Sequence, residues 1–168
     1  KARHVFLNEE EANIEDTIKN IDYKKMIVSS SSHLAFFYKK LDFLLLSNTT
    51  KLPIQLNYKT PSTLGTDRIA LAVGAHTIFP NKNSLIIGTG TCITTNFINS
   101  KGIYQGGTIS PGLTLRLQSL HTFTDKLPLI KKEHKKTIFD LTGKSTQESI
   151  ESGVFNGTFA EIDGLIYR

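Results

Sequence analysis

Between residues 84 and 113 the chain has little choice but to fold back on itself. Leu85 to Ile87 reads as a strand, Gly88 to Gly90 as a sharp turn and Ile93 to Ile98 as a second strand. Asn99 to Gly102 makes another turn before Ile103 and Tyr104. Apolar runs of strand length, closed at short intervals by turn residues, predict an antiparallel meander of three strands. Pro111 and Gly112 end it, and Leu113, Leu117 and Leu120 then open a helix.

The half before the meander alternates differently. Asn8 and the acids Glu9, Glu10 and Glu11 precede Ile14, Ile18 and Ile21, which predicts an amphipathic helix with negative charge at its N-terminus. Met26 to Val28 reads as a short strand, His33 to Lys40 as a helix, Phe43 to Leu46 as a strand and Ser47 to Lys51 as a turn. Helix and strand in alternation argue for an α/β layer with a mainly parallel sheet in this half. After Pro61 and Gly65, the stretch from Ile69 to His76 predicts a small-residue helix that can pack closely on a sheet. Near the end, Ser145 and Glu148 form a capping box that predicts a helix from there onward. Gly153 and Gly157, four apart on that helix, predict a neighbouring backbone passing close by.

Composition removes several function classes. Twenty Lys and Arg against fifteen Asp and Glu give a net charge of +5, but the densest run, Lys131, Lys132, Lys135 and Lys136, suits a solvated face better than a nucleic-acid stripe. Cys92 is the single cysteine, which excludes an intrachain disulfide and zinc-finger spacing. A small packed side chain is expected of it. His33, His76 and His121 share no ligand spacing. No stretch approaches the roughly 18 apolar residues of a membrane helix, so a soluble, cytoplasmic protein is expected. Lys1 is no initiator, and Ile166, Tyr167 and Arg168 carry no stop signal, so both edges read as cut from a longer chain.

Three segments could carry chemistry. Gly88-Thr89-Gly90-Thr91-Cys92-Ile93-Thr94 lies between two strands, where glycine lets backbone N–H groups approach an anion and threonine adds donors. It lacks the G-K-[ST] of a P-loop and the following helix of a dinucleotide fingerprint. An ordinary turn is the alternative. Gly65-Thr66-Asp67-Arg68 sets a proton acceptor beside an anion-binding guanidinium at a loop-to-helix boundary, or is merely a helix cap. Gly106, Gly107, Pro111 and Gly112 make a glycine-rich bend, or a plain tight connection.

Their order in the chain is more specific than any one of them. Tyr58, Leu64-Gly65-Thr66-Asp67-Arg68, Gly90-Thr91-Cys92-Ile93-Thr94, the run from Gly102 through Tyr104, Gly106, Gly107, Ile109 and Pro111 to Leu113, then Thr124, Leu127 and Pro128, and Gly143, Thr146, Ser149 and Ile150 together resemble type III pantothenate kinases. The likeness runs from about Tyr58 to Gly157. Its Gly-Thr-Cys-Ile-Thr and Ser-Pro-Gly-Leu variants are similar to the Bacteroidetes branch.

The resemblance implies an α/β fold of the ribonuclease-H-like actin/Hsc70/acetate-kinase (ASKHA) superfamily, with mixed sheets flanked by helices. Residues 1–66 would belong to the N-terminal lobe and 67–168 to the C-terminal lobe. It implies transfer of the ATP γ-phosphoryl group to the pantothenate hydroxyl, the first step of coenzyme A synthesis. Asp67 matches the family's base; Tyr58, Gly65, Thr66, Arg68 and Gly107 match positions that hold pantothenate. Gly90, Thr91, Thr94 and Thr146 match positions at the ATP phosphates. ATP, Mg2+ and a monovalent cation (K+ or NH4+) are implied, as is a homodimer; neither membrane nor nucleic acid is. The sequence departs from the family at three places. The family's N-terminal D-x-G-N-T/S loop has no counterpart, Gly88 stands where an aspartate assists the monovalent cation, and Asn96 stands at a second acidic position. These losses leave open a degenerate pantothenate-binding or transcription-accessory homologue, although Asp67 and Arg68 favour catalysis.

Overall fold

A computed structural model of the chain describes residues 16–30, 42–47, 49–131 and 138–167. The predicted helix at 33–40, the acids of 8–11 and Lys132, Lys135 and Lys136 lie outside them. The first described residues, 16–19, are helical, and Asn20 closes the turn by donating Nδ2 to the carbonyl of Asp16 at 2.8 Å. Ile21 lies beyond the helix and is exposed, so the apolar stripe ends at Ile18.

Two strands of two residues each follow, β1 (Ile27–Val28) and β2 (Leu44–Leu45), paired in parallel as the alternating pattern predicts. Next comes β3 (Gln55–Leu56), a strand too short to leave a sequence signal, and a single 3-10 turn at Pro61–Thr63. Helix α1 (Thr66–Ile78) starts directly after Gly65. The meander then forms as expected, from β4 (Ser84–Thr89), β5 (Cys92–Ile98) and β6 (Ile103–Gly106). A short β7 (Ile109–Pro111) pairs with the start of β5.

The sheet runs in the order β3-β6-β5-β4, with β7 beside β5. β4 and β5 are antiparallel, as are β5 and β6, whereas β3 joins β6 in parallel. The result is a mixed α/β sheet. Chain from before residue 66 and chain from after it share this sheet and one apolar cluster, in which Leu46, Ile54 and Leu64 meet Ile69, Ile98 and Tyr104. Ile69, Ile98 and Tyr104 have no exposed surface. Burying such side chains fully is worth about 1.5–3 kcal/mol each, which fixes α1 on one sheet face.

Two corrections concern the hairpin. Gly88 is not in the turn: β4 continues through Thr89, Gly88 pairs with Thr94, and only Gly90 and Thr91 bridge the strands. The backbone ladder outlasts the first glycine because the pairing partners on β5, Ile93 and Thr94, are β-branched and favour the extended state. Cys92 is exposed at the foot of β5 rather than packed.

Helix α2 (Leu113–Thr122) and helix α3 (Thr146–Ile166) form a second, smaller packing unit. Leu117 meets Ile150, Val154 and Phe155, and Phe139 stacks on Phe155 with ring centroids 4.0 Å apart. The capping box is present in modified form. Ser145 Oγ accepts from the Glu148 amide at 3.2 Å, while Glu148 Oε2 accepts from the amide of Lys144, one residue earlier than the reciprocal bond usually falls. The expectation for Gly153 and Gly157 fails. A side-chain carbon on either would meet no atom within 4 Å among the described residues, since both lie on the exposed face of α3.

Candidate active site

Helix α1 begins without a side-chain cap, because its N-cap is Gly65. Asp67 stands in its first turn, where the unpaired amides and the helix dipole favour a negative charge. The side chain is exposed, and its carboxylate curls back over Gly65. Thr66, which precedes it, is engaged elsewhere. Its Oγ1 lies 2.9 Å from Oγ of Ser29 and 3.3 Å from the carbonyl of Ser30, which it bonds as donor. The start of α1 is therefore tied to the loop that leaves β1.

Arg68 points the other way. The residue is 4% exposed, and its guanidinium lies beneath α1, where Nε donates to Oδ1 of Asn96 at 2.7 Å and Nη2 to the carbonyl of Thr95 at 3.2 Å. The same Asn96 oxygen accepts from the Tyr104 hydroxyl at 2.9 Å. Asn96 and Tyr104 have no exposed surface, and Asn96 Nδ2 has no partner among the described residues. An unpaired buried donor of this kind costs about 1–3 kcal/mol. Burial raises the Tyr104 pKa above its ordinary value, the neighbouring Arg68 charge acting in the opposite sense. Tyr58 leans on this group, its ring 6.1 Å from that of Tyr104.

Pairing places Gly88, Thr94 and Asn96 on the α1 side of the sheet, since β5 residues two apart share a face. Between that face and α1 lies a cleft of about 1440 Å³. Asp67, at the helix start, and Gly90, Thr91 and Thr94, on the hairpin, all line it. So do Gly88, Cys92 and Ser29. The hairpin tip is held from behind: the amide of Gly112 donates to the Thr91 carbonyl at 2.9 Å, and a side chain there would overlap the carbonyl oxygens of Gly90 and Thr91.

The other candidates lie apart. Gly65, Thr66 and Arg68 flank Asp67 in the chain without lining the cleft, and Tyr58, against Tyr104 and near Gly106, does not line it either. Gly107 sits where the chain crosses β5, so close to the Thr95 carbonyl that no side chain fits. Thr146 lines a separate pocket of about 1020 Å³ between α2 and the start of α3, with Lys144, Ser145 and Arg116. Ser29 is a cleft residue that pattern reading missed, because one serine in a four-serine tract carries no distinguishing signal. Asp67 is the one acidic side chain on the cleft wall among the described residues, and no group of three or more His, Cys, Asp or Glu side chains forms a metal cage there.

A family model described as type III pantothenate kinase matches residues 13–168. A type III pantothenate kinase of Cytophaga hutchinsonii is 54% identical over 121 residues, 72% of this chain and 50% of that protein. One from Flavobacterium psychrophilum is 41% identical over 164 residues, covering 92% of this chain and 67% of the relative. One from Bacteroides fragilis is 49% identical over 123 residues, 73% of this chain and 49% of its own. The chain thus spans about half the length of two of these relatives. A solved Campylobacter jejuni structure, described as of the Baf family of transcriptional activators, aligns with a TM-score of 0.58 at 21% identity, over 89% of this chain and 68% of its own. That last likeness concerns the fold.

Proposed function

Because the chain belongs to the type III pantothenate kinase family, we propose that the full-length protein transfers the γ-phosphoryl group of ATP to the pantothenate hydroxyl. The observation that carries this reading is the meeting of Asp67 with Gly90 and Thr91 across one cleft. Phosphoryl transfer asks little covalent chemistry of a protein; it asks for alignment, charge neutralisation and a base near the attacking hydroxyl. Asp67 takes the hydroxyl proton as the oxygen bonds to the γ-phosphorus. The bond from that phosphorus to the bridging oxygen breaks, and ADP leaves with its electron pair. The amide of Gly90 is spent on the Cys92 carbonyl within the turn, and the Thr91 amide, with the hydroxyls of Thr91 and Thr94, suits the phosphate oxygens.

The single carboxylate on the cleft wall among the described residues is too few for a protein-built magnesium cage. It suits an ion that arrives on the ATP phosphates, where Mg2+ would neutralise charge between the β- and γ-groups. Arg68, Tyr58, Gly65, Thr66 and Gly107 support the pantothenate end, with Arg68 acting from beneath the helix. The anion-favouring start of α3 at Thr146 supports a nucleotide contact in the assembled protein.

A homodimer, a ribonuclease-H-like two-lobed fold divided near residue 66, membership of the ASKHA superfamily and a cytoplasmic location complete the proposal. Ile109, 63% exposed on β7 beside Gly107, supports a contact between copies there. Among the described residues no helix is long and apolar enough to cross a membrane. A non-catalytic pantothenate-binding or transcription-accessory role has one observation in its favour, the missing acid at Gly88. Incubating the full-length protein with pantothenate and Mg·ATP separates the readings. Formation of 4'-phosphopantothenate, with ADP in equal amount, is the expected result; pantothenate bound but never phosphorylated would replace the kinase with the binding module.

A further inference from the structure

The hairpin offers a monovalent cation no charged ligand. Gly88 has no side chain, and a carbon added there would stand 2.8 Å from Oγ1 of Thr94 and 3.2 Å from Cδ1 of Leu71. A side chain there would need the Thr94 hydroxyl and the Leu71 methyl group to shift, and the glycine supplies no carboxylate of its own. Asn96 is neutral and wholly buried, and both acceptor directions of its Oδ1 are used, by Arg68 Nε and by the Tyr104 hydroxyl. Ions such as K+ are held by several oxygens that together replace their hydration shell. Of the side chains on this stretch that line the cleft, only the uncharged hydroxyls of Thr89, Thr91 and Thr94 carry oxygen, and no carboxylate stands among them.

A positive charge is nevertheless built into the same place. Arg68 is the one buried charged side chain among the described residues, and it lies against β5 through Asn96 and the Thr95 carbonyl. No ion pair joins it to a carboxylate among those residues. A guanidinium held by neutral acceptors in a low-dielectric interior keeps its field, whereas a paired one largely loses it. An aspartate at 96 would offer the same acceptor, relieve the unpaired Nδ2 and cancel the charge, yet the chain carries the amide.

We propose that this kinase works without a monovalent cation, because the buried Arg68 guanidinium, held under the hairpin by the neutral Asn96, supplies the positive charge there. The proposal rests on the phosphoryl-transfer reading above, and Asn96 is a positioning residue in it, touching neither substrate.

The test uses the full-length protein dialysed into choline chloride, with KCl or NH4Cl exchanged for choline at constant ionic strength and fixed Mg·ATP. Pantothenate-dependent ADP release should stay within about twofold across the salts, and stimulation of about tenfold or more by K+ overturns the proposal. The Asn96→Asp variant should raise the KM for ATP several-fold while its melting temperature holds or rises, since the folded state gains a paired charge. An unchanged KM would show that the guanidinium charge does not act on the phosphates and would overturn the proposal too. Melting curves decide the ion independently of turnover. Coincident curves in choline and potassium uphold the inference, and a saturable rise in KCl alone reveals a bound ion and overturns it. ADP release absent in every salt would instead remove the kinase reading, with the melting curves still reporting on the ion.

Discussion

A carbon atom placed on Gly65 would stand 2.5 Å from Oδ1 of Asp67. The carboxylate can fold back over the start of α1 only because that residue has no side chain. Gly65→Ala should therefore swing Asp67 away from its position while leaving the buried residues of α1 in place. The expected result is a fall in kcat of about tenfold or more with a smaller change in KM, because misplacing a reacting group costs rate more than binding. Unchanged kcat in a folded variant would show that the curled carboxylate is not the working conformation.

Gly112 plays a comparable part at the hairpin tip. Its amide holds the Thr91 carbonyl, and its missing side chain leaves room for Gly90 and Thr91. Gly112→Ala should push the tip toward the cleft, raising the KM for ATP by about tenfold and destabilising the fold by about 1–3 kcal/mol. Steady-state kinetics beside urea unfolding checks both. A loss of stability with an unaltered KM would mean that the tip does not contact ATP.

The sequence made the meander, helix α1 and the capped helix α3 legible, because each has either a strong period or a specific terminal signal. Asp67 and the hairpin were legible for the same reason: both sit at glycine-marked boundaries. What escaped were features set by tertiary contact. β3 and β7 are two and three residues long and exist by pairing with β6 and β5. The inward turn of Arg68 depends on Asn96, 28 positions later, and the same i, i+4 glycine pattern that marks close packing elsewhere faces open space at Gly153 and Gly157. Gly88 was misplaced because a glycine reads as a turn until the strand opposite it is known.

Ser145 caps α3 through the Glu148 amide, and α3 carries Ile150, Val154 and Phe155 of the second apolar cluster. Ser145→Ala should cost about 1 kcal/mol of stability. Denaturant midpoints measure it, and a change below about 0.3 kcal/mol would show that the Lys144 to Glu148 bond caps the helix unaided.

Acid should loosen the joint between β7, α2 and α3. The Ser110 hydroxyl and the Arg116 guanidinium hold the Glu161 carboxyl below its ordinary value of 4.5. A carboxyl with a depressed folded-state pKa adds stability above its unfolded pKa, and that stability is lost as pH falls through the folded value. The melting temperature should therefore decline as pH drops below about 4.5, and Glu161→Gln should flatten part of that decline. The effect should be modest, because the pair is partly exposed. Parallel pH profiles for the two proteins would remove Glu161 from the account.

The central claim is that Asp67 is the base of a pantothenate kinase, and the most direct measurement compares the full-length protein with its Asp67→Asn variant in ADP release and in pantothenate binding by calorimetry. The account predicts that turnover falls by about 10³-fold or more while pantothenate affinity stays within several-fold, the loss of a group that acts on the proton rather than on the bound substrate. Turnover that survives the substitution would contradict it.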